Sequence, residues 1–157
     1  MSLSPETAET LTAFVFKFRK AIEAAQANGE AGEFFRKFPV AQCGNASDML
    51  AQFLIDNGIG PIAYVSGTFY GDAFDDRQSH AWLLVNGLVV DITGDQFQNR
   101  SKPLKCNVPV YIGPMTKYCR FFEIDPSGIS EHHGLECNWS NYHELKTCYE
   151  TILKYLP

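Results

Sequence analysis

Positive charge is in short supply in this chain: 13 lysines and arginines stand against 18 aspartates and glutamates, a net charge of −5. No basic run interleaved with aromatics occurs, so a nucleic-acid partner is not expected. Long hydrophobic runs are missing too, and none approaches the roughly 20 residues that a membrane helix needs. The opening MSLSPETAET has no charged stretch followed by an apolar core, so it does not read as a signal peptide. Cysteine is sparse: five residues, an odd number at irregular spacing, argue against a secreted disulfide framework. These absences leave a cytoplasmic location, away from membranes, as the expectation. What the chain does have is 157 residues, 45% of them hydrophobic. That is the size and composition of a single domain spanning 1–157 with a sizeable core.

The order of elements is α, then β, then α. Ser4-Pro5 offers a helix cap followed by proline at the first helical position, and Leu11, Phe14, Val15, Phe18 and Ile22 form an apolar stripe that stops at Asn28-Gly29. A second helix is predicted over 45–56, where Ala46, Met49, Leu50, Phe53 and Leu54 recur at helical spacing before Asn57-Gly58. Residues 62–70 read as a strand and 71–79 as a polar loop, in which Asp72, Asp75 and Asp76 form a solvated turn or an acidic rim. Further strands are expected at 108–112 and 118–124, separated by Gly113-Pro114, with Pro109 marking the first as an edge. The basic Arg100, Lys102 and Lys105 fall in the loop before them. Trp139 reads as a packing anchor before a Ser140 cap, and the stripe Tyr142, Leu145, Tyr149, Ile152, Leu153 and Leu156 closes the chain as a helix. The expected fold is α+β, an antiparallel sheet of about five strands with helices packed on it.

Between these elements lies a short, strong signal. Residues 80–85 (HAWLLV) and 88–93 (LVVDIT) are β-rich, and only Asn86-Gly87 separates them, the composition of a two-residue type I′ hairpin. In that register Val85 faces Leu88, Trp82 faces Asp91 and His80 faces Thr93. His80 and Asp91 then share a face as diagonal neighbours, roughly 5.5 to 8 Å apart at Cβ, within side-chain reach. A loop one residue longer or shorter would place them on opposite faces.

An imidazole held by a carboxylate through one nitrogen presents the other to a nucleophile. Cys43 is the candidate, because it sits at or just before the first turn of the 45–56 helix. There the unpaired amides and the positive end of the helix dipole lower a thiol's pKa, and a nearby imidazolium lowers it further. Gly44 keeps the approach to the sulfur open, and the Cys43 amide offers one oxyanion donor. Asp95, four residues past Asp91, is the alternative orienting carboxylate.

Gln42-Cys43-Gly44 leading into a helix, His80-Ala81-Trp82 opening a strand and Val90-Asp91-Ile92 on the next strand resemble the papain-like fold in its transglutaminase-like branch. The resemblance covers about residues 38–97. It implies Cys43 as nucleophile, His80 as general base and acid, and Asp91 as orienting group, with Gln42, Gly44 and Trp82 as oxyanion or substrate-binding neighbours. Gln42 matches the residue before the nucleophile in transglutaminases. The implied chemistry is a cysteine hydrolase of amidase or peptidase type, working through a thioester on a peptide or small amide or acyl substrate, without a cofactor. Acyl transfer to an amine, and a non-catalytic binding protein on the same fold, are the alternatives.

His132, His133, Cys137, His143 and Cys148 fall within one stretch of 17 positions near the C-terminus and are residue types that bind zinc. They form neither a CxxC pair nor a regular His-x-x-x-His, so no metal site is expected and ordinary loop and core positions are the reading.

Overall fold

Asn86 and Gly87 both lie in the left-handed region, with φ of 50° and 82°, the backbone of a type I′ turn whose twist matches that of the strands it joins. The hairpin closes in the expected register, Val85 opposite Leu88, Leu84 opposite Val89 and Leu83 opposite Val90. This fixed register positions everything downstream in the site. The computed structural model describes residues 5–71, 77–100, 106–115, 121–137 and 141–157. Ser4, Asp72, Asp75, Asp76, Lys102, Lys105, Tyr118, Trp139 and Ser140 fall outside them.

The described residues form an α+β fold. Helix α1 (Pro5–Ala27) and helix α2 (Cys43–Asp56) precede strand β1 (Ile62–Phe69), strand β2 (Gln78–Val85), strand β3 (Leu88–Asp91), strand β4 (Tyr111–Pro114) and strand β5 (Glu123–His132), and helix α3 (Tyr142–Leu153) follows. The sheet order is β4-β3-β2-β1-β5, and each neighbouring pair is antiparallel. No helix among the described residues is long and apolar enough to cross a membrane.

Helices form where apolar spacing and end signals agree. The stripe Leu11, Val15, Phe18 and Ile22 is buried along α1, and Ala46, Met49, Leu50, Phe53 and Leu54 along α2. Helix α2 ends where the Asn57 amide turns back to the Phe53 and Leu54 carbonyls. Phe18 and Phe53 stack at 5.0 Å between ring centroids, joining the two helices. Leu145, Cys148, Tyr149 and Ile152 bring α3 onto the same core. A second, smaller cluster of Val65, Trp82, Val89, Phe97 and Phe122 forms from the opposite strand parity. The β2 and β3 side chains thus alternate between two apolar layers.

Several strand boundaries differ from expectation where a contact outside the ladder claims the backbone. Strand β2 starts at Gln78, since Gln78 and Ser79 pair with Phe69 and Thr68 of β1. Strand β3 stops at Asp91 because the Asp91 carboxylate accepts the Thr93 N–H and pulls the chain out of the ladder. The strand expected at 108–112 sits at Tyr111–Pro114 instead. The Pro109 carbonyl is taken by Arg19 of α1, and Gly113-Pro114, expected as a separator, pairs with β3 along the sheet edge, where proline's missing N–H is tolerated.

The strand expected at 118–124 likewise lies later, at Glu123–His132. Asp125-Pro126-Ser127-Gly128 forms an irregularity inside this strand. The β1–β5 register shifts between Val65 and Gly67, and Ser127 takes φ 55°. An outer strand accommodates such a bulge and its proline, and Thr68 donates its hydroxyl hydrogen to Asp125 across the gap at 2.6 Å.

Because Gly87 lies at φ 82° with open space where a Cβ would stand, Gly87→Ala should cost about 1–2 kcal/mol from left-handed backbone strain alone. Urea unfolding should show a lower midpoint at unchanged slope; an unchanged midpoint would contradict the turn assignment.

Candidate active site

Asp91 ends β3 with its carboxylate fixed from two directions. Oδ1 accepts the Thr93 amide at 2.8 Å and the Thr93 hydroxyl at 3.2 Å, and Oδ2 lies 2.6 Å from His80 Nε2. Both side chains are almost wholly buried, His80 2% and Asp91 1% exposed. The Thr93 contacts are an Asx-type turn, which aspartate forms readily with a residue two positions on. Orienting the carboxylate and terminating the strand are therefore one event.

The ring of His80 sits among Phe97 at 5.0 Å, Phe122 at 5.3 Å and Trp82 at 5.8 Å between centroids. Burial in these aromatics works against a charged imidazole, but the Asp91 charge and hydrogen bond, and then Cys43, outweigh it and push the His80 pKa up to about 9. Trp82 is wholly buried, so it meets the site through the histidine as part of this wall.

Cys43 is the first residue of α2, with Gln42 at the cap position. Its own amide and the next two have no acceptor within the helix and add to the positive end of the dipole. Burial pushes the thiol pKa up, yet hydrogen bonding and charge from His80, together with a hydrogen bond from the Ala81 backbone, bring it below that of an ordinary thiol. His80 Nε2 is committed to Asp91, which leaves Nδ1 for the sulfur. Cys43, His80 and Asp91 thus come together as one interacting set.

Gln42 makes no capping bond; its Oε1 accepts from Asn45 Nδ2 at 3.1 Å, which ties it to the first turn of α2. Ala41, just before it, takes φ 59°, a conformation that costs a residue with a side chain and that clusters near functional sites. A Cβ on Gly44 would stand 3.3 Å from the Tyr64 hydroxyl, so the absence of a side chain lets β1 approach the start of α2. Burial, then the charges of Asp48 and Cys43, push the Tyr64 pKa up to about 12. That hydroxyl stays a proton donor beside the first turn.

Asp95 is not the orienting group. Its Oδ1 and Oδ2 accept Arg19 Nη1 and Nη2 at 2.9 and 2.7 Å, a two-pronged ion pair with side chains 7% and 14% exposed. Arg19 also donates to the Ile92 and Pro109 carbonyls and to Glu23, and stacks 4.5 Å over Phe38. Helix α1, which reads from sequence as packing only, therefore clamps the short helical turn Gly94–Phe97 that follows Asp91. On that turn Gln96 places Nε2 3.1 Å from His80 Nδ1. Neither Gln96 nor Arg19 is signalled by its neighbours in sequence, since each acts through a contact 16 or more positions away. Thr93 had a signal, the Asp-x-Thr spacing of an Asx turn.

His132, His133 and Cys148 go separate ways, and the Cys137 side chain lies outside those described. His132 Nε2 meets Asp48 at 2.9 Å while its Nδ1 accepts the Gly134 amide. His133 is exposed beside Glu131, and Cys148 donates to the Ala31 carbonyl from the helical core. Among the described residues no group of three or more histidine, cysteine or acidic side chains is placed to hold a metal ion.

Set against models of known families, curated proteins and solved structures, the chain matches none.

Two expectations follow. Iodoacetamide should alkylate Cys43 with a rate that rises with pH earlier than for an ordinary thiol and stays high up to the loss of the His80 proton near pH 9. His80→Ala should move that rise to higher pH, because burial is then less opposed; identical profiles would contradict the pairing. Asp95→Ala, which strands the buried Arg19 cation, should cost about 3–5 kcal/mol in a denaturation experiment, and a loss below about 1 kcal/mol would show that the clamp carries little.

Proposed function

We propose that this protein is a cysteine hydrolase of amidase or peptidase type on a papain-like, transglutaminase-like domain. The observation that carries the reading is the buried His80 to Asp91 contact of 2.6 Å, with a cysteine at a helix start hydrogen-bonded to the same imidazole. Structural ion pairs also perturb pKa values, but a thiol lowered while the neighbouring imidazole is raised is what nucleophilic catalysis requires. A nucleophile helix packed against an antiparallel sheet, with histidine and aspartate on adjacent strands, supports the family likeness.

In the reaction, the Cys43 thiolate attacks a carbonyl carbon of a peptide or small amide or ester. A carbon–sulfur bond forms, and the oxyanion meets the Cys43 amide at the positive end of α2 and a second donor. As the tetrahedral species collapses, His80 Nδ1 gives its proton to the departing nitrogen or oxygen, leaving a thioester and a neutral imidazole. Water then attacks the thioester carbon while His80 takes a proton from it. Collapse breaks the carbon–sulfur bond, releases the acid, and restores the thiolate and imidazolium. Asp91 stays ionised throughout and holds the ring with Nε2–H directed at itself. An amine in place of water would give transfer instead of hydrolysis.

The test is mass spectrometry of the protein after incubation with an activated ester. The wild type should gain one acyl group on Cys43, Cys43→Ala none, and His80→Ala should acylate about 10²–10⁴-fold more slowly. Equal labelling of all three proteins would refute the reading and favour a binding protein with an unreactive thiol.

A further inference from the structure

Gln96 has no assigned part in this chemistry, yet its amide nitrogen is 3.1 Å from His80 Nδ1, the nitrogen that shuttles the proton. The side chain is part-buried and its turn is clamped to α1 through the adjacent Asp95 and Arg19. Nδ1 changes role during the cycle: as imidazolium it donates, as neutral base it accepts. A primary amide meets both states, because a half-turn of its last bond exchanges N–H for C=O. While the sulfur is a thiolate it partners Nδ1 itself. Once acylated, the sulfur carries neither proton nor charge, and Nδ1 turns from it to the second nucleophile.

We propose that Gln96 seats that second nucleophile, and that it selects acceptors carrying two hydrogens on the attacking atom. The inference rests on the acyl-enzyme reading above. Water bound there gives one hydrogen to Nδ1 and the other to Gln96 Oε1, which aims its lone pair at the thioester carbon. A primary amine has the same two hydrogens. An alcohol has one, and leaves either the base or the amide unpartnered beside the reacting atoms. In the attack a carbon–oxygen or carbon–nitrogen bond forms, His80 takes the first hydrogen as a proton, and the carbon–sulfur bond breaks to return the thiolate. Gln96 itself neither gains nor loses a proton.

The experiment uses the full chain with p-nitrophenyl acetate, reading the burst as acylation and the steady state as deacylation, in wild type, Gln96→Met and Gln96→Glu. Gln96→Met, close in size but without the amide, should keep its burst rate within about twofold while the steady state falls about tenfold, the loss of one hydrogen bond at the transition state. Gln96→Glu, which retains an acceptor oxygen, should recover part of that loss. With added glycinamide or methanol, wild type should pass its acyl group to the amine in preference to the alcohol, and Gln96→Met should narrow that preference.

The pH profile of iodoacetamide alkylation at Cys43 reports whether the nucleophile site remains intact in each variant. A burst and steady state that fall together, or a steady state unchanged by Gln96→Met, would overturn the proposal. Wild type that alkylates as proposed and acylates, yet shows no acceptor preference, would overturn the selectivity alone. No burst in wild type, with slow alkylation independent of pH, would instead remove the acyl-enzyme reading, and the Gln96 proposal with it.

Discussion

The contact on which the site depends is the one between His80 Nε2 and Asp91 Oδ2, made in almost complete burial. Taking a carboxylate and an imidazolium out of water costs several kcal/mol per ion, which a single good contact need not offset. Here the remaining capacity of the carboxylate is filled by Thr93, whose amide and hydroxyl both donate to Oδ1. On the imidazole side the thiol group of Cys43 supplies a further hydrogen bond. Each member of the set is tolerable in the interior only because the others are present, so the group behaves as a unit, and removing one member disturbs the pKa of its neighbours.

That unit is held by two pieces of backbone chemistry at opposite ends of one short strand. The left-handed pair Asn86-Gly87 sets which side chains of β2 and β3 share a face, and the Asx turn at Asp91 ends the strand at the residue that must reach back to the histidine. Shifting either by one residue would send Asp91 to the other face or carry the strand past it. The four positions from Leu88 to Asp91 leave no slack, which is why a four-residue strand suffices. Gly94–Phe97 then returns the chain over the site, fastened from the far side by Arg19.

What the sequence made legible was local. The hairpin register, the start and stop of α2, the stripes of α1 and α3, and the grouping of Cys43, His80 and Asp91 all rest on signals a few residues long. The strands at the sheet edges were misplaced because their limits depend on partners elsewhere: Pro109 lends its carbonyl to an arginine 90 positions away, and the Asp125-Pro126-Ser127-Gly128 segment becomes a bulge only against β1. Arg19 and Gln96 escaped notice for the same reason. An arginine on an amphipathic helix reads as a solvated residue, and nothing near it in sequence announces a buried aspartate. The likeness to papain-like enzymes carries the chemistry only as a proposal, since no known family, curated protein or solved structure matches the chain.

The division of labour between Asp91 and Asp95 follows from what faces each. Both follow the same hairpin, four residues apart, and either carboxylate would suit a histidine. Asp95 meets a guanidinium whose planar fork takes both its oxygens, which satisfies it and leaves no lone pair directed at His80. Asp91 takes the Thr93 donors on one oxygen and holds the imidazole with the other. Through Asp95, α1 holds the turn that carries Gln96 against the imidazole. Helix α1 is in this way part of what fixes the geometry of the site.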